Sequence, residues 1–213
     1  MKHALLGAAA IVAGAMFFTV PAYATIILSF GQSASNQAIT ATENGAQTAT
    51  TLSATDVAIG ITQIENGVPV GAFFDLSAAS DGAAVPILGG TAQKFSGSFS
   101  INSLANNTGT NYLSGTFTDV TFGTGPGGAL SVGAPPDALV FTSDVITSLA
   151  LPAAIGLGFA NVLPAFTQVG DSIGSFTSSV SGTFSASAVP EPASLAVLGL
   201  GILGLGLVRP RRA

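Results

Sequence analysis

The sequence predicts an all-β body, an antiparallel β-sandwich, framed by an apolar segment at either end. Three observations predict it. Short alternating runs of apolar and polar residues recur along the middle of the chain, with Gly, Pro and Asn between them. Helix signals in that region are weak. One strand-like hexapeptide is used three times. Many short strands separated by turn residues point to stacked antiparallel sheets.

Taken in order, the first segment reads as a signal peptide. Lys2 opens a short basic region, an apolar stretch runs from Ala4 to Phe18, and Pro21-Ala22-Tyr23-Ala24 supplies an A-x-A site. That pattern predicts cleavage by signal peptidase between Ala24 and Thr25, so residues 1–24 are set apart from the body. With them removed, a chain of 213 residues leaves one domain, residues 25–188.

The body begins with a strand, Thr25-Ile26-Ile27-Leu28-Ser29-Phe30. Residues 31–55 are polar and suit a loop or edge strands. From Asp56 to Ile64, Val57, Ile59 and Ile61 share one face of a strand. Asn66-Gly67 marks a turn, after which Val68 to Phe74 is again extended.

The hexapeptide follows as Phe95-Ser96-Gly97-Ser98-Phe99-Ser100. It returns as Leu113-Ser114-Gly115-Thr116-Phe117-Thr118 and as Val180-Ser181-Gly182-Thr183-Phe184-Ser185. A strand puts the two apolar residues and the central glycine on one face and the hydroxyls on the other. The inward glycine leaves a gap that a Phe from a neighbouring strand can fill. The copies start 18 and then 67 residues apart, so they are equivalent strands of one sheet system rather than a solenoid.

Residues 102–110 make a hairpin loop between the first two copies. After Phe117 the apolar positions change parity, to Val120 and Phe122, which predicts a bulge near Thr118-Asp119. Leu139 to Ile146 forms a further strand. Ile155, Leu157 and Phe159, bracketed by Pro152 and Pro164, form a buried one.

Composition excludes several kinds of chemistry. Between Thr25 and Val189 the one base, Lys94, faces nine acids, a net charge of −8. No positive surface is available for a phosphate backbone, so nucleic acid is not an expected partner. The chain has no Cys, and its single His, His3, lies in the signal segment. That removes the thiolate nucleophile, the Ser-His-Asp triad and the usual zinc ligands. The expectation is therefore a protein that is not an enzyme and uses no cofactor. Asp75 and Asp81, six apart in a loop-like stretch before Gly82, are weak calcium candidates, because hard carboxylate oxygens on loops bind Ca²⁺. Asp137 and Asp144 are a candidate acid–base pair that nothing in the sequence places together.

The end of the chain carries the most specific pattern, over residues 189–213. Val189-Pro190-Glu191-Pro192 precedes an apolar run over 193–208, and Arg209, Arg211 and Arg212 close the chain as a basic stop. The two prolines hold Glu191 in extended backbone. The apolar run has 16 residues, which as a helix cover about 24 Å, slightly short of the hydrocarbon core of a bilayer. It reads as a single transmembrane helix with its arginines on the cytoplasmic side. The ordered set resembles the bacterial PEP-CTERM sorting signal. The resemblance implies recognition by an exosortase-type membrane enzyme that processes the tail near Pro190-Glu191-Pro192. It further implies an inner-membrane precursor, then a cell-surface or extracellular-matrix location associated with exopolysaccharide. The same tail occurs in some ice-binding proteins, and Thr48, Thr50 and Thr51 hint at a flat threonine face. The body is then expected to be structural or adhesive, with a carbohydrate-, calcium- or ice-binding module as the alternative.

Overall fold

The computed structural model describes residues 24–34, 38–124, 129–131 and 139–187. The Ala22 side of the cleavage site, Asp137, the sorting motif, the apolar run and the basic stop lie outside the described residues. Every regular element is a strand, and there is no helix among the described residues.

The strands are β1 (Ala24–Gln32), β2 (Ile39–Glu43), β3 (Thr50–Ile64), β4 (Val70–Ser80), β5 (Val85–Ile87), β6 (Gly90–Leu104) and β7 (Thr108–Gly123). They continue with β8 (Ala129–Ser131), β9 (Leu139–Thr142), β10 (Ala150–Leu163), β11 (Gln168–Val169), β12 (Ser172–Ile173) and β13 (Phe176–Ser187). Every pairing is antiparallel. The ladders run β3–β4–β6–β7–β8–β10–β13–β1 and return to β3. This circuit leaves few sheet edges open to a second chain. β2 continues the place of β1 between β3 and β13, while β5 and β9 are short additions to β6 and β7. β11 and β12 form a separate small hairpin.

Alternation drives the burial. Along β13, Phe176, Val180, Phe184 and Ala186 are buried, whereas Ser181 and Thr183 face solvent. The interior is filled largely by phenylalanine. Phe74, Phe95, Phe117, Phe122 and Phe184 are among its largest fully buried side chains. Aromatic pairs then join walls that share no ladder, as when Phe122 of β7 meets Phe159 of β10 and Phe176 of β13.

The three hexapeptides lie in β6, β7 and β13, and the first two pair directly, with Phe99 opposite Gly115 and Gly97 opposite Phe117. In two copies the glycine gap holds aromatic rings. A Cβ on Gly182 would meet Phe30 Cε1 at 2.2 Å, and one on Gly115 would meet the Val140 carbonyl oxygen at 2.4 Å as well as Phe141 Cδ1 at 2.9 Å and Phe99 Cε1 at 3.1 Å. The first copy differs. A Cβ on Gly97 would strike the backbone of β4, at 2.2 Å from the Ser77 carbonyl oxygen. There glycine permits close backbone approach rather than ring insertion.

The bulge at Thr118-Asp119 is present. Phe95 pairs with Val120 and Gly97 with Phe117, so β7 carries one extra residue, and Asp119 takes φ +54°. A second bulge interrupts β3, where Ala54 pairs with Leu76 but Val57 with Phe74, and Asp56 takes φ +49°. Aspartate is among the few residues with a Cβ that tolerate this left-handed region. The second bulge explains a difference from the sequence reading. Residues 50–55 continue β3, paired on both sides, rather than forming a loop or an edge strand, with Thr50, Leu52 and Ala54 inward before the bulge and Val57, Ile59 and Ile61 inward after it. The strand expected over 139–146 is also shorter. β9 ends at Thr142, and Ser143 Oγ accepts the N–H groups of Val145 and Ile146 to turn the chain.

Candidate functional site

The outer surface of the β3–β4–β6–β7 wall is hydroxyl- and amide-rich, because the outward residues of these strands are mostly Ser, Thr, Asn and Asp. It forms a groove of about 680 Å³. Its polar lining comes from Ser53 and Thr55 of β3, Asp75 and Ser77 of β4, Ser98, Ser100 and Asn102 of β6, Asn107 of the turn, and Asn111 and Ser114 of β7. Ala54, Leu76 and Phe99 also line it, but they are only 6%, 3% and 3% exposed and belong to the core. What a ligand would meet is polar and apolar surface in nearly equal measure. A second hollow of about 290 Å³ shares Ser98, Phe99 and Ser114 with the groove and extends it over Thr116, Val140 and Thr142.

Two Asx features shape one end. Asn106 and Asn107 take φ +60° and +53° at the tip of the β6–β7 hairpin, a backbone that Asn accepts at low cost. Asn106 N–H donates to Asp56 Oδ1 at 2.6 Å, tying this hairpin to the β3 bulge. Asn107 Oδ1 accepts from Ser100 Oγ, and from Asn102 Nδ2 at 3.1 Å. The Asp56 N–H in turn donates to Asp75 Oδ1 at 2.9 Å. On the other side, Asn111 Nδ2 donates to Ser114 Oγ at 2.9 Å, and Ser114 Oγ lies 2.8 Å from Thr142 Oγ1.

Two acceptors in this lining are left over. Asp75 Oδ2 and Asn111 Oδ1 are buried atoms without a hydrogen-bond partner. Such groups cost free energy until a donor reaches them. Burial pushes the Asp75 carboxyl above the ordinary carboxylate value. The amide hydrogen bond from Asp56 opposes that shift, and the Asp56 charge adds to it.

The sequence-derived candidates are distributed as follows. Asp75 lines the groove, but Asp81 follows the far end of β4 and accepts from Ser96 Oγ. Six residues of extended chain place the two aspartates about 20 Å apart. No group of three or more His, Cys, Asp or Glu that could hold a metal occurs among the described residues. Ala24 and Thr25 lie in β1, opposite Ser187 and Ala186 of β13, so the two ends of the described body lie side by side. Asp144 Oδ2 accepts the Asn111 N–H at 2.8 Å and fixes a turn. The threonines do not share a face. Thr48 and Thr51 are exposed, whereas Thr50 is fully buried with its hydroxyl donating to Ile173 O at 2.5 Å. The amide and hydroxyl members of the groove were not singled out by sequence. The one signal for them is the outward parity of the serines in the first two hexapeptides.

Comparison with known proteins identifies the end of the chain. The family model of the PEP-CTERM protein-sorting motif matches residues 188–212. No curated protein and no solved structure matches the chain. The motif that the terminal residues resemble is thus the one they carry, and it begins directly after β13. It implies export and processing by an exosortase.

Proposed function

We propose that this is an exported surface or extracellular-matrix protein, delivered through its PEP-CTERM motif, whose body is structural or adhesive rather than catalytic. The match over residues 188–212 carries the delivery part of this reading. In it, signal peptidase releases Thr25, the run over 193–208 holds the precursor in the inner membrane, and the exosortase acts near Pro190-Glu191-Pro192. The body then works as a rigid sandwich. Support for that shape comes from Phe99 of β6 and Phe184 of β13, rings from two walls that no ladder joins, which stack directly. Support for binding rather than catalysis comes from the residue set: no Cys, no His outside residue 3, and one base in the body.

Glu191→Ala tests the delivery. The substitution leaves the apolar run intact, so passive insertion survives and only recognition of the motif fails. Cell fractionation should find the wild type at the surface and Glu191→Ala in the inner membrane. Equal surface delivery of both would reduce the tail to an anchor. Of the alternatives to a purely structural role, the polar groove favours carbohydrate.

A further inference from the structure

From the groove we infer a glycan-binding site, one that takes a neutral, hydroxyl-rich chain across strands β3, β4, β6, β7 and β9. The inference deepens the surface-matrix reading and rests on it for the source of the polymer. Its physical content comes from the lining.

Four features select the ligand class. The groove is long. With the hollow that continues it, it crosses five neighbouring strands, about 19 Å at the usual inter-strand spacing. An extended oligomer fits that shape better than one small molecule. The accessible lining mixes hydroxyl and amide groups with apolar surface, exposed Val140 among it, while Leu76 and Phe99 turn their side chains into the core. A sugar ring, with hydroxyls at its rim and C–H groups on its faces, matches that mixture better than a purely apolar ligand. A lone carboxylate, Asp75, and no base line it. An anionic polymer would be repelled, and a hard cation would lack its several charged ligands. Finally, the two leftover groups, Asp75 Oδ2 and Asn111 Oδ1, are both acceptors. They stand on β4 and β7, two strand spacings apart through β6. Both are closed to solvent in the free chain, so a sugar hydroxyl donates to them only after a small shift of the lining, while the accessible serine and threonine hydroxyls serve as donor or acceptor from the outset.

The site has no aromatic platform, so affinity for a short oligosaccharide is weak. Copies of the chain held together on one surface raise it for a polymer. Asp75 supplies the one charged group of the lining. Its loss weakens binding about tenfold, the share of a hydrogen bond to a charged group. Ser98 is exposed, lies where groove and hollow meet, and lines both. A bulky apolar residue there blocks the path without breaking the Asn107 or Asp75 networks.

The test uses the full chain purified in detergent. Neutral glucan oligosaccharides are titrated by NMR, with alginate as an anionic comparison. Amide shifts confined to Ser53, Asp75 to Ser77, Ser98 to Asn102, Asn107 to Ser114 and Thr142 are expected. Asp75→Ala should weaken glucan binding about tenfold, and Ser98→Leu should abolish it at an unchanged melting temperature. Thr183→Ala, on the outer face of β13, should leave it unchanged. Ser98→Leu keeps the test decisive where Asp75→Ala unfolds the β3 bulge. Absence of glucan binding, glucan binding indifferent to Ser98→Leu, or alginate binding as tight as glucan would overturn the inference. None of these results depends on the tail, so failed delivery of Glu191→Ala and failed binding are separate outcomes.

Discussion

Phe99 of β6 and Phe184 of β13 stack with ring centroids 4.7 Å apart and planes 25° apart, although no ladder joins their strands. Both occupy the fifth position of a hexapeptide copy, so a repeat spaced far apart in sequence meets itself across the core. Phe141 packs edge-on against both rings. Truncating Phe184 to Ala should cost about 3–5 kcal/mol, and Phe99→Ala a similar amount. The double variant should cost less than the sum, because the rings share one contact. Urea unfolding of the three variants measures this, and strict additivity would mean that the rings do not support each other.

The glycine gaps are a second test of the packing. Gly182→Ala and Gly115→Ala should each destabilise by about 1–3 kcal/mol through overpacking. Their Cβ atoms would lie 2.2 Å from the Phe30 ring and 2.4 Å from the Val140 carbonyl oxygen. Gly71→Ala, whose Cβ meets nothing within 4 Å, should be near neutral. Thermal melts of the three variants separate a filled gap from a general need for glycine in strands.

Asp119 combines a left-handed backbone with an ion pair to Lys94 at 3.5 Å, in which both side chains are more than half exposed. An exposed pair contributes little, so the backbone should decide. Asp119→Ala should cost about 1 kcal/mol, and Asp119→Gly should be close to neutral despite losing the same charge. Equal losses in the two variants would assign the effect to the ion pair.

The fold of the body was legible where parity and turn chemistry are local. The parity change from Phe117 to Val120 located one bulge, and Asn106-Asn107 located a hairpin tip. The bulge at Asp56 escaped because the residues before it, Leu52 apart, are Thr, Ser and Ala, whose inward and outward members look alike. The groove escaped for a different reason. Its members come from four strands and a turn, and each reads alone as an ordinary solvated polar residue. Only the register of β4, β6 and β7 brings Asp75, Ser100 and Ser114 into one row.

Asp75 should make stability depend on pH in a definite direction. Its carboxyl is held above the ordinary value of 3.8 in the folded state. Between that value and the raised one the folded chain therefore binds more proton than the unfolded chain. Its contribution is favourable at lower pH and is lost as pH rises through the raised value. Asp75→Asn removes this loss and keeps an acceptor for the Asp56 amide. The melting temperature of Asp75→Asn relative to wild type should rise from acidic to neutral pH. A relative melting temperature that stays flat or falls would contradict the burial of this carboxyl.

The central claim is that two terminal signals deliver a folded β body to the surface and are removed on the way. Intact-mass measurement of the surface form tests it most directly. The account predicts a single species that begins at Thr25 and ends close to Pro190-Glu191-Pro192, without the apolar run over 193–208. A surface species that begins at Met1, or one that ends at Ala213, would contradict it.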